Sequence, residues 1–323
     1  MKNTLFATTA LVALGFAGSA FASEPMTASV GGYMGIGLGM HNNDGGDDIG
    51  ILRDGEIHFK AKGSSDNGLT FEARVELEAF GTSDQIDENY GKVSGSFGSI
   101  MIGGNDTAKN NLTTGIFYAP LALGGYYDHI TQLGYGAGYS GISQAGDQMG
   151  IHYNTPNFNG LQAAVSYQPE GSSDGGSDGQ FAFNDGSDGD NVFSAGVNYG
   201  GDFDGFSVRL SGGYETSDGS DTDTWSIGAQ GGTGGLMVGV YYESNPGAAD
   251  TSDLAIGGTY STGPWTVGAG FSTQIDAAGD PWRVGSWATY AMAPGVSATL
   301  SLEHVDTGAD DATSGLAYIS LGF

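Results

Sequence analysis

The groups in this chain that could do chemistry are charged side chains, and they are unevenly spread. Of nine Lys and Arg residues in 323, Lys2 belongs to a leader considered below. Five of the other eight, Arg53, Lys60, Lys62, Arg74 and Lys92, fall within the span 53–92. Glu72 and Glu76 are interleaved with them, and so is His58. A second group, Asp106, Asp128 and Asp147, sits in the stretch 104–148. Fixed charges of both signs at close quarters attract ions and orient dipolar solutes; they break no bonds by themselves. His41, His58, His129, His152 and His304 are scattered, with no triad order and no zinc-ligand spacing. The chain therefore reads as a non-enzyme, with no motif that requires a cofactor. Two acidic clusters, DGGDD at 44–48 and DGSDGD at 185–190, could hold Ca2+, which takes about six to eight oxygen ligands. Neither has the EF-hand or nonapeptide-repeat spacing, so solvated rim is the plainer reading.

The elements that must position these charges show a period of two. Leu69, Phe71, Ala73, Val75 and Leu77 alternate with Thr70, Glu72, Arg74, Glu76 and Glu78, which gives a strand one apolar and one charged face. The segment before it repeats the pattern, with Ile57, Phe59 and Ala61 against Glu56, His58, Lys60 and Lys62. Lys60, Lys62, Arg74 and Lys92 share the polar face. Arg53 joins them only if Asp54-Gly55 forms a bulge, a role Gly often takes within strands. Turn residues punctuate the whole chain and predict sixteen strands: 29–40, 50–61, 68–80, 88–95, 99–103, 148–155, 161–168, 191–200, 206–214, 224–230, 236–243, 253–261, 265–273, 283–291, 296–304 and 314–323. Short connections alternate with longer acidic ones, and aromatics such as Tyr167, Trp225, Trp265, Trp282 and Tyr290 cluster at strand ends. An even strand count, short turns at one end, long loops at the other and aromatic girdles describe an outer-membrane β-barrel with a polar lumen.

Composition sets the boundaries of that reading. Lys2, an apolar run at 11–16 and Ala20-Phe21-Ala22 form a secretory signal peptide, 1–22, ahead of a mature barrel at 23–323. No later stretch approaches the roughly 18 apolar residues of a membrane helix, and there is no cysteine. Gly, at 60 residues, disfavours helix throughout. A formal charge of -28 argues against nucleic acid as a partner. It suits passing cations, or a soluble exported β-protein that binds Ca2+ through acidic loops. The stretch 104–148 has no sustained period yet carries Phe117, Tyr118, Tyr126, Tyr127, Tyr135 and Tyr139. Loops of that length are uncommon and usually functional, so we expect it to fold inward and plug part of the tube.

The last segment, GLAYISLGF, alternates to a terminal Phe323. With ENYGKVSGSFGSIMIGGNDTA at 88–108 and MGIHYNTPNFNGLQAAVSY at 149–167, the chain resembles the bacterial outer-membrane general-diffusion porins of the alphaproteobacterial type. It departs from them at Gly103-Gly104, where many relatives carry a basic residue. The resemblance implies a homotrimer in outer-membrane lipid of a Gram-negative bacterium, passing small hydrophilic solutes and ions. It also implies that the third external loop, 104–148, turns its carboxylates Asp106, Asp128 and Asp147 toward the basic wall. A constriction so charged, formed with Arg53, His58, Lys60, Lys62, Arg74 and Lys92 and the interleaved Glu72 and Glu76, would carry a transverse field. The carboxylate excess predicts cation preference. A sugar-specific channel of the same fold, using the loop tyrosines as a sliding surface, is the alternative within transport.

Overall fold

Alternating strands joined by Gly-rich turns leave a row of backbone N–H and C=O groups along each edge, and closing the sheet on itself is the only way to pair them all. The computed structural model describes residues 24–43, 46–80, 85–114, 148–169, 191–217, 223–245 and 251–323. They form β1 (Glu24–Asn43), β2 (Gly46–Ser64), β3 (Thr70–Glu78), β4 (Ile86–Gly95), β5 (Gly98–Gly104), β6 (Met149–Asn154), β7 (Leu161–Gln168) and β8 (Val192–Phe203). The second half supplies β9 (Phe206–Thr216), β10 (Thr224–Thr233), β11 (Leu236–Asn245), β12 (Thr251–Thr262), β13 (Trp265–Ile275), β14 (Trp282–Ala293), β15 (Val296–Asp306) and β16 (Asp311–Gly322). Each strand pairs antiparallel with its sequence neighbours, and β1 pairs with β16 to close a sixteen-stranded barrel. The expected strand count and order hold. The strands run longer than expected at several ends, because pairing continues into polar residues: Asn42 and Asn43 face Asp47 and Gly46, so the first acidic connection is largely strand.

The barrel is built inside out. Leu300 and Leu302 of β15 are 64% and 63% exposed, whereas Ser301 and Glu303 are 8% and 6% exposed. Cross-strand partners share a face, so Ile36 of β1 opposite Ile319 of β16 continues the outer apolar belt. A soluble β-protein would bury that belt; a belt this extensive on the outside needs lipid against it. Aromatic pairs frame it. Trp265 and Tyr290, with ring centroids 4.7 Å apart, mark the end with short turns. Trp225 with Tyr242 at 5.2 Å, and Tyr167 with Phe193 at 4.7 Å, mark the end with long loops. The short turns depend on glycine where it matters: Gly235 has φ of 88°, and a Cβ there would meet the Ser261 carbonyl oxygen at 2.4 Å. On the inner face, Gly35 leaves room for the Tyr318 side chain, whose hydroxyl oxygen a Cβ would strike at 1.6 Å and whose ring it would meet at 2.1 Å.

Candidate functional site, the charged lumen wall

Strand register brings the wall charges together. On the lumen face His58 of β2 stands opposite Glu76 of β3, Lys60 opposite Arg74, and Lys62 opposite Glu72. The rows continue into β4, where Glu72 faces Lys92 and Arg74 faces Tyr90. Glu72 is the hub: its Oε2 lies 3.2 Å from Lys60 Nζ, and its Oε1 lies 3.1 Å from Lys92 Nζ. The Tyr90 hydroxyl donates to the same Oε1 at 3.4 Å. Arg74 reaches along its own strand to Glu76. The lysines and the arginine are thus largely answered within the wall. Lys62 is the exception, with no charged partner among the described residues.

Arg53 does not belong to this set. The pairing of β1 with β2 runs without a shift from Thr27 through Asn43, and it places Arg53 opposite Ile36 on the outer face. The bulge needed to turn Arg53 inward is absent; Gly55 instead leaves space on the outside for Phe80, whose ring approaches to 3.4 Å of a Cβ built there. The Arg53 guanidinium lies 5.3 Å from the centre of that ring, a cation–π contact.

The long connection after β5 begins inside the barrel. Its first ten described residues end in a π-helical turn, Asn110–Thr114, and they are pinned to the far wall. Ala108 N donates to Ser166 Oγ of β7 at 2.9 Å, and Lys109 N donates to Ser194 Oγ of β8 at 2.8 Å. Asn198 of β8 donates to the Leu112 carbonyl at 3.3 Å. Lys109 Nζ then meets Glu243 Oε2 of β11 at 2.8 Å, with side chains only 3% and 0% exposed. The Tyr241 hydroxyl donates to the same oxygen at 2.9 Å. Neither Lys109 nor Glu243 was singled out by the sequence as a site: the partners are 134 residues apart, and only the inward parity of Glu243 hinted at it.

Asp106 lies at this loop's base. Burial pushes its carboxyl above the ordinary carboxylate value, against a hydrogen bond from Asn110 and with added repulsion from Glu215. Among the described residues, the charge that bears on it is thus a carboxylate of β9. Asp128 and Asp147, the loop tyrosines, residues 1–22, and the side chains of the two acidic clusters lie outside the described residues. Between the wall and the loop base is a cavity of about 560 Å³, bounded by Glu56, Arg74, Glu76 and Lys92 on one side and by Asn105 and Asn111 on the other. Its lining is dominated by charged and amide side chains, which is the environment of a water-filled passage and not of a closed apolar pocket.

A model of a protein family described as Gram-negative porin matches residues 7–310. The chain belongs to the Gram-negative porins. No curated protein matches its sequence significantly. Among solved structures it is similar to a triple mutant of the Rhodopseudomonas blastica porin, at 20% identity and TM-score 0.68, covering 92% of this chain and 100% of that one. It is similar also to an anion-selective porin from Comamonas acidovorans, at 14% identity and TM-score 0.66, covering 93% and 100% of the two chains. A loop-deleted OmpT of Vibrio cholerae matches at 16% identity and TM-score 0.63, covering 92% and 99%. At these identities the likeness is one of fold. Family and fold together make this porin a passive diffusion channel of the outer membrane.

Proposed function

We propose that this porin is a cation-preferring diffusion pore for small hydrophilic solutes, narrowed by the loop 104–148 against the wall of β2, β3 and β4. The observation that carries this reading is the capture of Lys60 and Lys92 by Glu72, and of Arg74 by Glu76. The Arg74–Glu76 pair presents little net charge to a passing ion at distances beyond its own length, and Glu72 leaves Lys60 and Lys92 with one positive charge between them instead of two. What remains for the lumen to express is the carboxylate side: Glu56, Glu78 and Asp87 gather within 4.8 Å of one another, in a chain of net charge -28. Lys62, which no wall carboxylate captures among the described residues, provides the positive edge of a transverse field, whose negative edge would be supplied by Asp128 and Asp147. Exposed rim charges are screened beyond about 8 Å at physiological ionic strength, so the constriction sets the preference. This differs from the Comamonas relative, whose selectivity is for anions.

A homotrimer is part of the same proposal. The outer face of β1, β2 and β13 to β16 carries hollows of about 510 and 660 Å³. Small residues, Ala288, Ala298, Ala317 and Gly315, floor them among Leu38 and Leu300. Such a surface admits close approach of a second barrel wall. The test is swelling of proteoliposomes in sugars of graded size, with the sign of the reversal potential in a KCl gradient. Rates that fall smoothly with solute size, and a potential favouring potassium, are expected. Saturation by one sugar, or a potential favouring chloride, would overturn the reading.

A further inference from the structure

Three lumen side chains meet at one point outside the lysine network. Glu56 and His58 are two residues apart on β2 and so share its inner face; His58 stands opposite Glu76 of β3. His58 Nε2 lies 2.7 Å from Glu56 Oε2 and 3.1 Å from Glu76 Oε2. A ring nitrogen offers one hydrogen or one lone pair. Two carboxylate oxygens converging on it are more than a single N–H can serve well, and a cation among the three groups would answer both.

The remaining oxygens are already held from behind. The Tyr33 hydroxyl donates to Glu56 Oε1 at 3.0 Å, and the Arg74 guanidinium contacts Glu76 Oε1. The Tyr33 ring also meets the His58 imidazole edge-on, at 6.5 Å between centroids and 75°. Outer partners that fix ligand orientation in this way are what a metal site uses to tune affinity. Glu76 is buried, while the side chains of His58 and Glu56 are 26% and 17% exposed to the lumen. An ion can therefore enter from the water of the pore, with solvent completing its shell.

We propose that Glu56 Oε2, His58 Nε2 and Glu76 Oε2 form a wall site for a divalent transition-metal cation of the Zn2+ class. Imidazole selects Zn2+, Co2+ or Ni2+ over Ca2+ and Mg2+, which favour all-oxygen shells. Glu56 and Glu76 also line the cavity between wall and loop. A bound cation would add positive charge to the conduction path and reduce cation flux. That last consequence rests on the pore reading; the binding itself does not.

The test is equilibrium dialysis of Zn2+ against the full folded protein in detergent, with metal quantified per chain. One Zn2+ per chain is expected, retained in His304→Gln and undiminished by excess Ca2+. His58→Gln and Glu76→Gln should each lose at least about tenfold in affinity, the scale on which even outer-shell losses act. Equal affinity in His58→Gln, or no binding by the wild type, would overturn the proposal. X-ray absorption of the zinc-loaded wild type needs no variant to fold: one imidazole among oxygen ligands is expected, and an all-oxygen shell would refute the site. Conductance measured with and without Zn2+ then reads the pore separately. Binding without block would leave the site standing and count against its place on the conduction path.

Discussion

Removing one partner of the Lys109–Glu243 pair tests how the long loop is anchored. Both side chains are almost wholly buried, and Glu243 Oε2 accepts from Lys109 and Tyr241 together. Glu243→Gln leaves an ammonium with no carboxylate partner in that position; Lys109→Met strands the carboxylate. Breaking a buried pair from one side costs roughly 3–5 kcal/mol, whereas replacing both partners by apolar groups of similar volume is often neutral. Some of the single-variant cost will be recovered by water entering the lumen, which places the expected loss near the lower figure, about 3 kcal/mol. At about 1.4 kcal/mol per tenfold, that is on the order of a hundredfold shift toward a detached loop base. The assay is a double-mutant cycle by urea unfolding in lipid vesicles, followed by tryptophan fluorescence, with current noise recorded for each variant. Each single variant should be less stable and noisier, and Lys109→Met/Glu243→Met should recover most of both. If Glu243→Gln matches wild type and the double variant gains nothing, the pair does not anchor the loop. The hydrogen bonds to Ser166 and Ser194 would then be the anchor.

Other expectations follow from the same geometry. Arg53→Ala changes a residue on the outer face and should leave the reversal potential unmoved, while Lys62→Glu should shift it toward cations; a shift with Arg53→Ala would mean that the β2 register is wrong. Asp106 is raised above its ordinary value of 3.8 by burial. A carboxyl raised in the folded state favours folding fully below its unfolded pKa, and that contribution is lost as pH rises through the folded value. Asp106→Asn should therefore be more stable than wild type at neutral pH, with the gap closing as pH falls through the raised folded value toward 3.8 and changing no further below it; a gap constant with pH would assign the effect to something other than ionisation. Unboiled protein on a denaturing gel should migrate as a trimer and boiled protein as a monomer, whereas one monomeric band in both lanes would remove the trimer proposal.

The alternation in β2 and β3 made the lumen wall legible, because a period of two assigns every side chain a face once one is known. Turn residues in a Gly-rich chain then gave the strand order. What the sequence could not carry was register and distance. Arg53 has the wrong parity for the lumen, and Asp54-Gly55 offers the sequence pattern of a bulge that would correct it without forming one. The glycine instead makes room for Phe80 outside. Glu72 was recognised as interleaved with lysines, but its service to Lys60 and Lys92 at once depends on three strands being in step. The Lys109–Glu243 contact joins a loop to a strand six strands further along, with no local pattern to announce it. The family resemblance turns Asp106 toward the bases; the loop base instead crosses to β7 and β8, where Glu215 is the charge that bears on it.

The claim that wall carboxylates silence the bases is tested most directly by the reversal potential in a planar bilayer under a KCl gradient, for wild type and Glu72→Gln side by side. Wild type should favour potassium. Glu72→Gln, which frees two lysines at one stroke, should move the potential toward chloride by more than neutralising any single rim carboxylate does. A chloride-favouring wild type, or a Glu72→Gln variant identical to it, would contradict the account.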